Sequence, residues 1–263
     1  MSDRTVNITV ADAIAEFLSD QGVRFVFGVP GGENVPLIEA FRQRGVKFIL
    51  MHHEAQAAMA AGVCGEISGR PGVCLATVGP GAVNLLSGVA AANLERGPLI
   101  AITAEVDHSL QDRVTHMNLD LNAIFSPAVK GSYSLSPQNC REFLLAGWEL
   151  ARSGPSGAVH LTVSLENSMA RVGPTGPQFS PVREENIQKP GLNELASRMG
   201  ASRQTIILIG QGIQHLGLQQ AVINLAEEWN APVVVAPKAK GQFPESHPLF
   251  AGCFSAYGDR PVR

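Results

Sequence analysis

Apolar positions along the chain follow two alternating spacings. Segments with an apolar residue at about every third or fourth position are typical of helices, and the short, nearly continuous apolar runs between them are typical of buried strands. The predicted helices are Val10–Gln21, Val35–Arg44, Ala55–Ile67, Ala82–Leu94 and Gln138–Arg152. The predicted strands are Arg24–Gly28, Lys47–Met51, Val73–Val78, Leu99–Ala104, Ala128–Tyr133 and Ala158–Ser164. This alternation predicts an α/β fold, with a doubly wound, mostly parallel sheet covered by helices on both faces.

The pattern changes after residue 166. Residues 167–190 are rich in glycine and proline, which is typical of an interdomain linker. The elements predicted after it are the helices Leu192–Gly200 and Gly217–Trp229 and the strands Thr205–Ile209 and Val233–Ala236. Because two strands are too few for an ordinary doubly wound sheet, we expect a first domain over 1–166 and a truncated second α/β domain over 191–263.

Composition and charge narrow the class of protein. Of the 263 residues 45% are hydrophobic and 16% are charged, which is enough apolar side chain for a substantial core. The net charge is −3 and no long basic run occurs, so we expect neither a nucleic-acid nor a membrane partner. The sequence has no apolar stretch of the length that spans a membrane and no signal-peptide pattern at its start, which predicts a cytoplasmic protein.

The four cysteines are widely spaced and form no CxxC pair. They are Cys64, Cys74, Cys140 and Cys253. Such cysteines are typical of reduced core residues in a cytoplasmic protein.

Glu54 is the first candidate for chemistry. It lies where the predicted strand Lys47–Met51 gives way to an alanine-rich helix, at the edge of a parallel sheet where ligands bind. A carboxyl group among apolar neighbours loses hydration, and this loss favours its neutral, protonated form. The alternative is a structural role, because a glutamate in the first turn of a helix is favoured by the helix dipole.

His52 and His53 directly precede Glu54. Adjacent residues on an extended chain point to opposite sides, which argues against a His-His-Glu metal site. We therefore assign no metal ligand in this sequence.

Two glycine-rich turns each connect a predicted strand to a helix. They are Gly28-Val29-Pro30-Gly31-Gly32 and Gly79-Pro80-Gly81. Turns of this kind let a ligand approach backbone N–H groups at a helix start. Neither turn has the spacing of a phosphate-binding or dinucleotide-binding motif, so a purely structural role as tight turns stays open.

Two further segments have an open interpretation. The small residues within Ala55–Ala61 and Gly88–Ala92 allow close helix packing, either between layers or at the interface of a dimer. The polar segment from Glu105 to Asn122 follows a strand end, so it either borders a site or forms an ordinary surface loop.

The order of these motifs resembles a known family. The matching segments are Gly28 to Gly32, His53-Glu54-Ala55-Gln56, Gly72-Val73-Cys74-Leu75, Gly79 to Asn84 and, after the linker, Lys238 to Pro244 with His247-Pro248-Leu249. The first four are similar to the pyrimidine-binding domain of thiamine-diphosphate enzymes of the acetolactate synthase and pyruvate decarboxylase group. The last two are similar to the start of the central domain of that group.

The resemblance implies a function for these residues. Glu54 is expected to hydrogen-bond N1′ of the cofactor's aminopyrimidine, and this contact promotes removal of the thiazolium C2 proton, after which a 2-oxo acid reacts. Pro30, Gly31 and Gly32 are expected to lie over the active site. Gly79, Pro80, Gly81 and Asn84 are expected to pack near the pyrimidine.

The sequence departs from the family's pattern in three places. Many relatives have a substrate-facing glutamine near the position of Met117, which makes His116 and Met117 candidate substrate-side residues. Relatives of the synthase type have Gly-Gln where this chain has Ala104-Glu105. The Gly-Asp-Gly motif that binds Mg²⁺ and the diphosphate does not occur in the sequence.

Three hypotheses follow. The leading one is an N-terminal fragment of a lyase or transferase, for which acetolactate synthase-like carboligation is favoured over simple decarboxylation. The complete enzyme is expected to form a homodimer or homotetramer, and the fragment alone is expected to have no turnover. The second is a subunit of a split decarboxylase whose partner chain carries the diphosphate-binding domain. The third is a non-catalytic cofactor-binding module. The resemblance leaves open whether FAD is bound.

Overall fold

The computed structural model describes residues 8–172, 190–202, 204–214 and 216–255. It divides into two compact units, with the division between residues 182 and 183 of the chain. Each unit contains its own sheet, one of six strands and one of three.

The first unit alternates strands and helices as predicted. Its strands are β1 (Phe25–Gly28), β2 (Lys47–Leu50), β3 (Gly72–Ala76), β4 (Leu99–Glu105), β5 (Gly131–Ser134) and β6 (Ala158–Ser164). Its helices are α1 (Val10–Asp20), α2 (Val35–Gln43), α3 (Glu54–Ser68), α4 (Pro80–Leu94), α5 (Leu121–Phe125), α6 (Cys140–Arg152) and α7 (Leu165–Met169). Short 3₁₀ turns lie at Gly32–Asn34 and Ser126–Ala128.

The six strands are all parallel and lie in the order β2-β1-β3-β4-β6-β5. One face of the sheet packs against α1, α2 and α6 around the fully buried Phe41 and Trp148. The other face packs against α3, α4 and α5 through a cluster that is mostly alanine. Because β3 and β4 are covered on both faces, their side chains form nearly continuous apolar runs. The predicted fold class is confirmed.

Helix ends in the first unit follow local capping chemistry. Thr9 caps α1, because its hydroxyl accepts from the Asp12 amide at 3.1 Å while the Asp12 carboxylate accepts from the Thr9 amide at 3.1 Å. Gly22 follows the helix with a φ of 82°, which is the left-handed conformation expected of a glycine there.

None of the four cysteines, all of which lie in the described residues, forms a disulfide bond. Cys74 and Cys140 are buried, and burial raises the pKa of both thiols. Cys64 and Cys253 are only half-buried, so the prediction of core positions fits two of the four residues.

Three elements of the first unit differ from the predicted pattern, and one of them is the short helix α5, which was not predicted. The strand predicted at Ala128–Tyr133 begins only at Gly131, because residues 126–128 form a 3₁₀ turn that contains Pro127. Helix α7 was not predicted; Ser164 caps it by accepting from the Asn167 amide at 3.1 Å. This helix crosses the predicted domain end at residue 166, while residues 173–189 of the predicted linker lie outside the described residues.

The second unit contains α8 (Pro190–Gly200), β7 (Ile207–Ile209), α9 (Gln219–Trp229), β8 (Val233–Val235) and β9 (Phe250–Cys253). Its strands are parallel in the order β7-β8-β9. The prediction of two strands was one short. Strand β9 has no continuous apolar run, since Gly252 interrupts it and its register against β8 shifts. In neither unit is any described helix both long enough and apolar enough to cross a lipid bilayer.

Candidate active site

The carboxyl ends of four neighbouring strands of the first unit, β1 to β4, meet at one edge of the sheet. Because the strands are parallel, the segments that follow β1, β2, β3 and β4 all emerge at this edge. They carry the Gly31-Gly32 turn, Glu54, the Gly79-Pro80-Gly81 turn and the loop that contains Met117. The fold therefore gathers most of the residues selected from the sequence at one edge.

Glu54 is the first residue of α3 and is only 8% exposed. The preceding residue, His53, caps the helix, because its Nδ1 accepts from the Ala55 amide at 3.1 Å. The next turn of α3 is formed by buried Ala57 and Ala58. The carboxyl group of Glu54 is thus largely removed from water, as the sequence predicted.

Asn84 and Gly81, both on the first turns of α4, lie against the Glu54 carboxyl group. The Asn84 side-chain amide donates to Glu54 Oε2 at 3.2 Å. A Cβ atom at Gly81 would lie 3.2 Å from Glu54 Oε1. Within the described part of the chain, Oε1 has no hydrogen-bond partner. One carboxyl oxygen is therefore held in place, and the other faces a position without a side chain.

Thr77 lies between the two glycine turns. Its hydroxyl donates to Glu33 Oε2 at 2.7 Å. A Cβ atom at Gly31 would clash with the Thr77 side chain, and one at Gly81 would lie 2.8 Å from Thr77 Cγ2. Both turns therefore pack directly on Thr77. Thr77 and Glu33 were not among the predicted site residues, although Thr77 is a polar residue near the end of the predicted strand Val73–Val78 and this position was a usable signal.

Met117 packs on the second glycine turn. Gly79 has a φ of 60°, and a Cβ atom there would lie 2.8 Å from Met117 Cβ. Met117 itself has a φ of 57°, a conformation that is uncommon for a residue with a side chain. The loop after β4 therefore returns to the edge of the sheet beside α4.

The remaining predicted residues are less closely placed. His116 and Pro30 are exposed, and none of the contacts found in the described ranges joins them to Glu54. Gly32 has open space around it, and Pro80 is the exposed first residue of α4. These four residues share the edge of the sheet with Glu54 without a contact that would test their predicted roles.

Metal binding has little support at this edge. His53 uses one ring nitrogen as a helix cap, and the neighbouring His52 is exposed. Across residues 8–172 and the described parts of the second unit, no group of three or more His, Cys, Asp or Glu side chains is placed to hold a metal ion.

A buried histidine lies deeper in the same unit. His160 on β6 hydrogen-bonds Thr103 through Nε2 and Ser132 through Nδ1, each at 2.8 Å, and stacks on Phe125 with ring centroids 3.9 Å apart. Burial lowers the pKa of His160 to about 3, so the ring is neutral at physiological pH. His160 was not among the predicted site residues, since a single polar position inside a predicted strand is a weak signal.

The arrangement at Glu54 fits an aminopyrimidine ring. Such a ring offers a nitrogen that can share a proton with a carboxyl group, and Glu54 Oε1 is the oxygen without a partner among the described residues. The absence of a side chain at Gly81 leaves room on that side of the carboxyl group. The carboxyl group of Glu54 is therefore placed to share a proton with a ring nitrogen of a polar heterocycle.

Comparison with protein-family models gives two matches. Residues 8–124 match the N-terminal thiamine pyrophosphate binding domain of the thiamine pyrophosphate enzymes, and residues 192–263 match their central domain. Thiamine pyrophosphate is another name for thiamine diphosphate. The first match lies within the first unit and the second match lies within the second unit.

Curated relatives agree with these matches. The probable acetolactate synthase large subunit of Methanocaldococcus jannaschii is 31% identical over 95% of the chain, which covers 44% of that relative. The acetolactate synthase of Arthrospira platensis is 31% identical over 95% of the chain and 45% of the relative. The acetolactate synthase isozyme 1 large subunit of Escherichia coli K12 is 28% identical over 96% of the chain and 45% of the relative. The chain thus spans less than half the length of these relatives. From the two family matches and these relatives together, we conclude that the chain belongs to the thiamine pyrophosphate enzyme family.

Proposed function

We propose that this chain provides the aminopyrimidine-binding part of a thiamine-diphosphate-dependent enzyme that acts on 2-oxo acids, with Glu54 as the residue that activates the cofactor. The observation that supports the proposal is the buried carboxyl group of Glu54, held at Oε2 by Asn84 and free at Oε1 among the described residues. When bound, thiamine diphosphate supplies a carbon nucleophile and an electron sink.

The residues of the site have separate tasks in this proposal. Glu54 Oε1 shares a proton with N1′ of the aminopyrimidine. Asn84 fixes the orientation of the carboxyl group through its 3.2 Å hydrogen bond to Oε2. Gly81 keeps the ring's approach free of side chains, and the low exposure of Glu54 keeps water from competing for the proton. Gly31 forms the neighbouring wall through its contact with Thr77. We propose Pro30, Gly32, Gly79 and Pro80 as backbone contacts at the same edge.

The diphosphate end requires further residues. Mg²⁺ bound by oxygen ligands is the usual anchor for such a group, and the described residues contain no acidic cluster that would hold it. We propose that the Mg²⁺ and diphosphate contacts come from a diphosphate-binding domain, supplied by a second copy of the complete enzyme in a homodimer or homotetramer, or by a partner chain. A cytoplasmic location is part of this proposal.

The relatives indicate the reaction class. Those compared are named acetolactate synthases, so carboligation of 2-oxo acids is favoured over simple decarboxylation. Met117 and His116 are the proposed substrate-side residues, and the packing of Met117 on Gly79 supports the placement of the former.

The proposal is tested by substituting Glu54 in the assembled enzyme. Glu54→Gln keeps the shape and the bond to Asn84 but removes the exchangeable carboxyl proton, so exchange of the thiazolium C2 hydrogen for deuterium should slow by about 100-fold or more. The exchange is measured by acid quench and proton NMR. Glu39→Gln, on the exposed surface of α2, is the matched control. The isolated chain with thiamine diphosphate and Mg²⁺ should show no turnover.

Two results would contradict the proposal. Exchange at the unsubstituted rate in Glu54→Gln would remove Glu54 from its role. Retained thiamine binding without any exchange in the unsubstituted, assembled protein would favour a non-catalytic module.

A further inference from the structure

We propose that Glu33 is a second functional carboxylate at this edge, a positioning residue whose bond to Thr77 fastens the Gly31-Gly32 turn beside Glu54. The connection to catalysis rests on the function proposed for Glu54. The tether between the two turns rests on the geometry alone.

The bond joins two turns that are distant in the sequence. Thr77 Oγ1 donates to Glu33 Oε2 at 2.7 Å, across 44 residues of chain. Within the described ranges Glu33 has no cation paired with it, and its side-chain hydrogen-bond partner is Thr77. A hydrogen bond to a carboxylate is stronger than one between neutral groups. Glu33 is therefore placed as a tether and not as half of a surface ion pair.

Thr77 connects this tether to the Glu54 site through side-chain packing. Its side chain packs on Gly31 from one turn and on Gly81 from the other, both at distances that leave no room for a Cβ atom. Gly81 in turn lies beside Glu54 Oε1. A displacement of Thr77 therefore changes the wall against which the free carboxyl oxygen lies.

The turn needs a tether because of its composition. Two consecutive glycines lose much conformational freedom when they become ordered, and side-chain bonds must offset that loss. Asn34, which is 2% exposed, supplies one such bond by accepting from the Gly31 amide at 3.0 Å. The Glu33–Thr77 bond supplies the other, and it alone of these two connects the turn to the segment between β3 and α4.

The test compares variants of the chain in two measurements. The variants are Thr77→Val, Thr77→Ser, Glu33→Ala, the double variant Thr77→Val with Glu33→Ala, and the control Glu39→Gln. The first measurement is amide hydrogen exchange at Gly31 and Val35 by NMR, since both amides donate within the turn. The second is the dissociation constant of thiamine itself, used as the probe, from the shift of the Gly81 amide.

The proposal predicts a non-additive pattern. Thr77→Val and Glu33→Ala should each speed exchange at Gly31 and Val35 by about tenfold, which is the loss of one charge-assisted hydrogen bond. The double variant should exchange no faster than either single variant, because both remove the same bond. Thr77→Val should also weaken thiamine binding several-fold, and Thr77→Ser, which keeps the hydroxyl, should restore both properties.

Other results overturn the proposal. Additive effects, or exchange as slow as in the control, would mean that the bond does not hold the turn. Faster exchange with unchanged thiamine binding would mean that the tether does not position the Glu54 site. If the variants show the predicted exchange pattern but the unsubstituted chain binds no thiamine, the function proposed for Glu54 fails. The tether then remains as a structural contact, and the positioning role is rejected.

Discussion

At the scale of single residues, close packing at glycines determines which groups meet around Glu54. Gly31 and Gly81 leave space that the Thr77 and Glu54 side chains fill. Gly32, next to Gly31, has no heavy atom within 4 Å of the position where a Cβ would lie. Two adjacent glycines of one motif are therefore present for different reasons, and a motif alone does not distinguish them.

This difference gives a stability prediction. Gly31→Ala should destabilise the first unit by about 1–3 kcal/mol, because its methyl group overlaps the Thr77 side chain and neighbours must move. Gly32→Ala should change the free energy of unfolding by less than about 0.5 kcal/mol, since nothing lies within contact distance. Urea unfolding of both variants measures the difference. Equal destabilisation by the two substitutions would contradict this account.

His160 gives a prediction of pH dependence. Its folded-state pKa of about 3 lies below the ordinary value of 6.5, so the unfolded state binds the proton more readily. Stability from the neutral ring is therefore complete above about pH 6.5 and is lost as pH falls towards about 3, by roughly 1.4 kcal/mol per pH unit once the unfolded imidazole is protonated. His160→Gln should flatten the slope of unfolding free energy between about pH 6 and pH 4, because in this range the imidazole is largely protonated in the unfolded chain and neutral in the folded one. His108→Gln, on an exposed loop, should keep the slope, and an unchanged slope in His160→Gln would refute the assignment.

At the scale of helices and strands, the pattern of apolar residues predicted most helices and strands of the first unit, and the reason is physical. Buried parallel strands such as β3 and β4 must be apolar on both faces, and this requirement is visible as a continuous run. Strand β9 lacks such a run, and α7 is only a single capped turn, so neither has enough periodic positions to be recognised. Position at the end of a strand identified Glu54, but the contact of Thr77 with Glu33 depends on chain segments 44 residues apart and is not encoded in local pattern.

The packing of α3 on α4 gives an element-scale prediction. Gly88 lies so close to α3 that a Cβ atom there would be 2.7 Å from Ala58 Cβ and 3.1 Å from the Met59 amide nitrogen. Gly88→Ala should therefore force the helices apart and cost about 1–3 kcal/mol of unfolding free energy. Ser87→Ala, at the exposed neighbouring position, should be close to neutral. Thermal unfolding followed by circular dichroism compares the two, and a neutral Gly88→Ala would show that the interface is loosely packed.

At the scale of the whole molecule, the exposed side of α3 is the feature that bears on the proposed assembly. Met59, Val63 and Ile67 follow one another at four-residue spacing and are 48%, 54% and 72% exposed. An apolar stripe of this kind, on a helix that begins with Glu54, is typical of a surface that another protein covers. This stripe supports the proposed assembly of the enzyme through its first unit.

The stripe makes a prediction about self-association. Replacing Val63 and Ile67 together by glutamate should weaken association of the protein at least tenfold, because two charges would have to be buried at the contact. Sedimentation velocity over a range of concentrations measures this. Glu66→Gln serves as a control on the same helix, because it introduces no new charge. A concentration-independent mass that is identical in all variants would place the assembly surface elsewhere.

Met117 packs so closely on Gly79 that residues at these two positions, which are distant in the sequence, cannot change independently. Any side chain gained at position 79 would push away the loop that carries Met117, since the space for its first carbon is already filled. In the proposed function, the loop carries substrate-side residues and the turn lies beside the cofactor, so selection for a new substrate through that loop would be constrained by this turn. Laboratory evolution of altered substrate preference should accordingly recover substitutions at residues next to Met117 more readily than substitutions that change the backbone conformation of Met117.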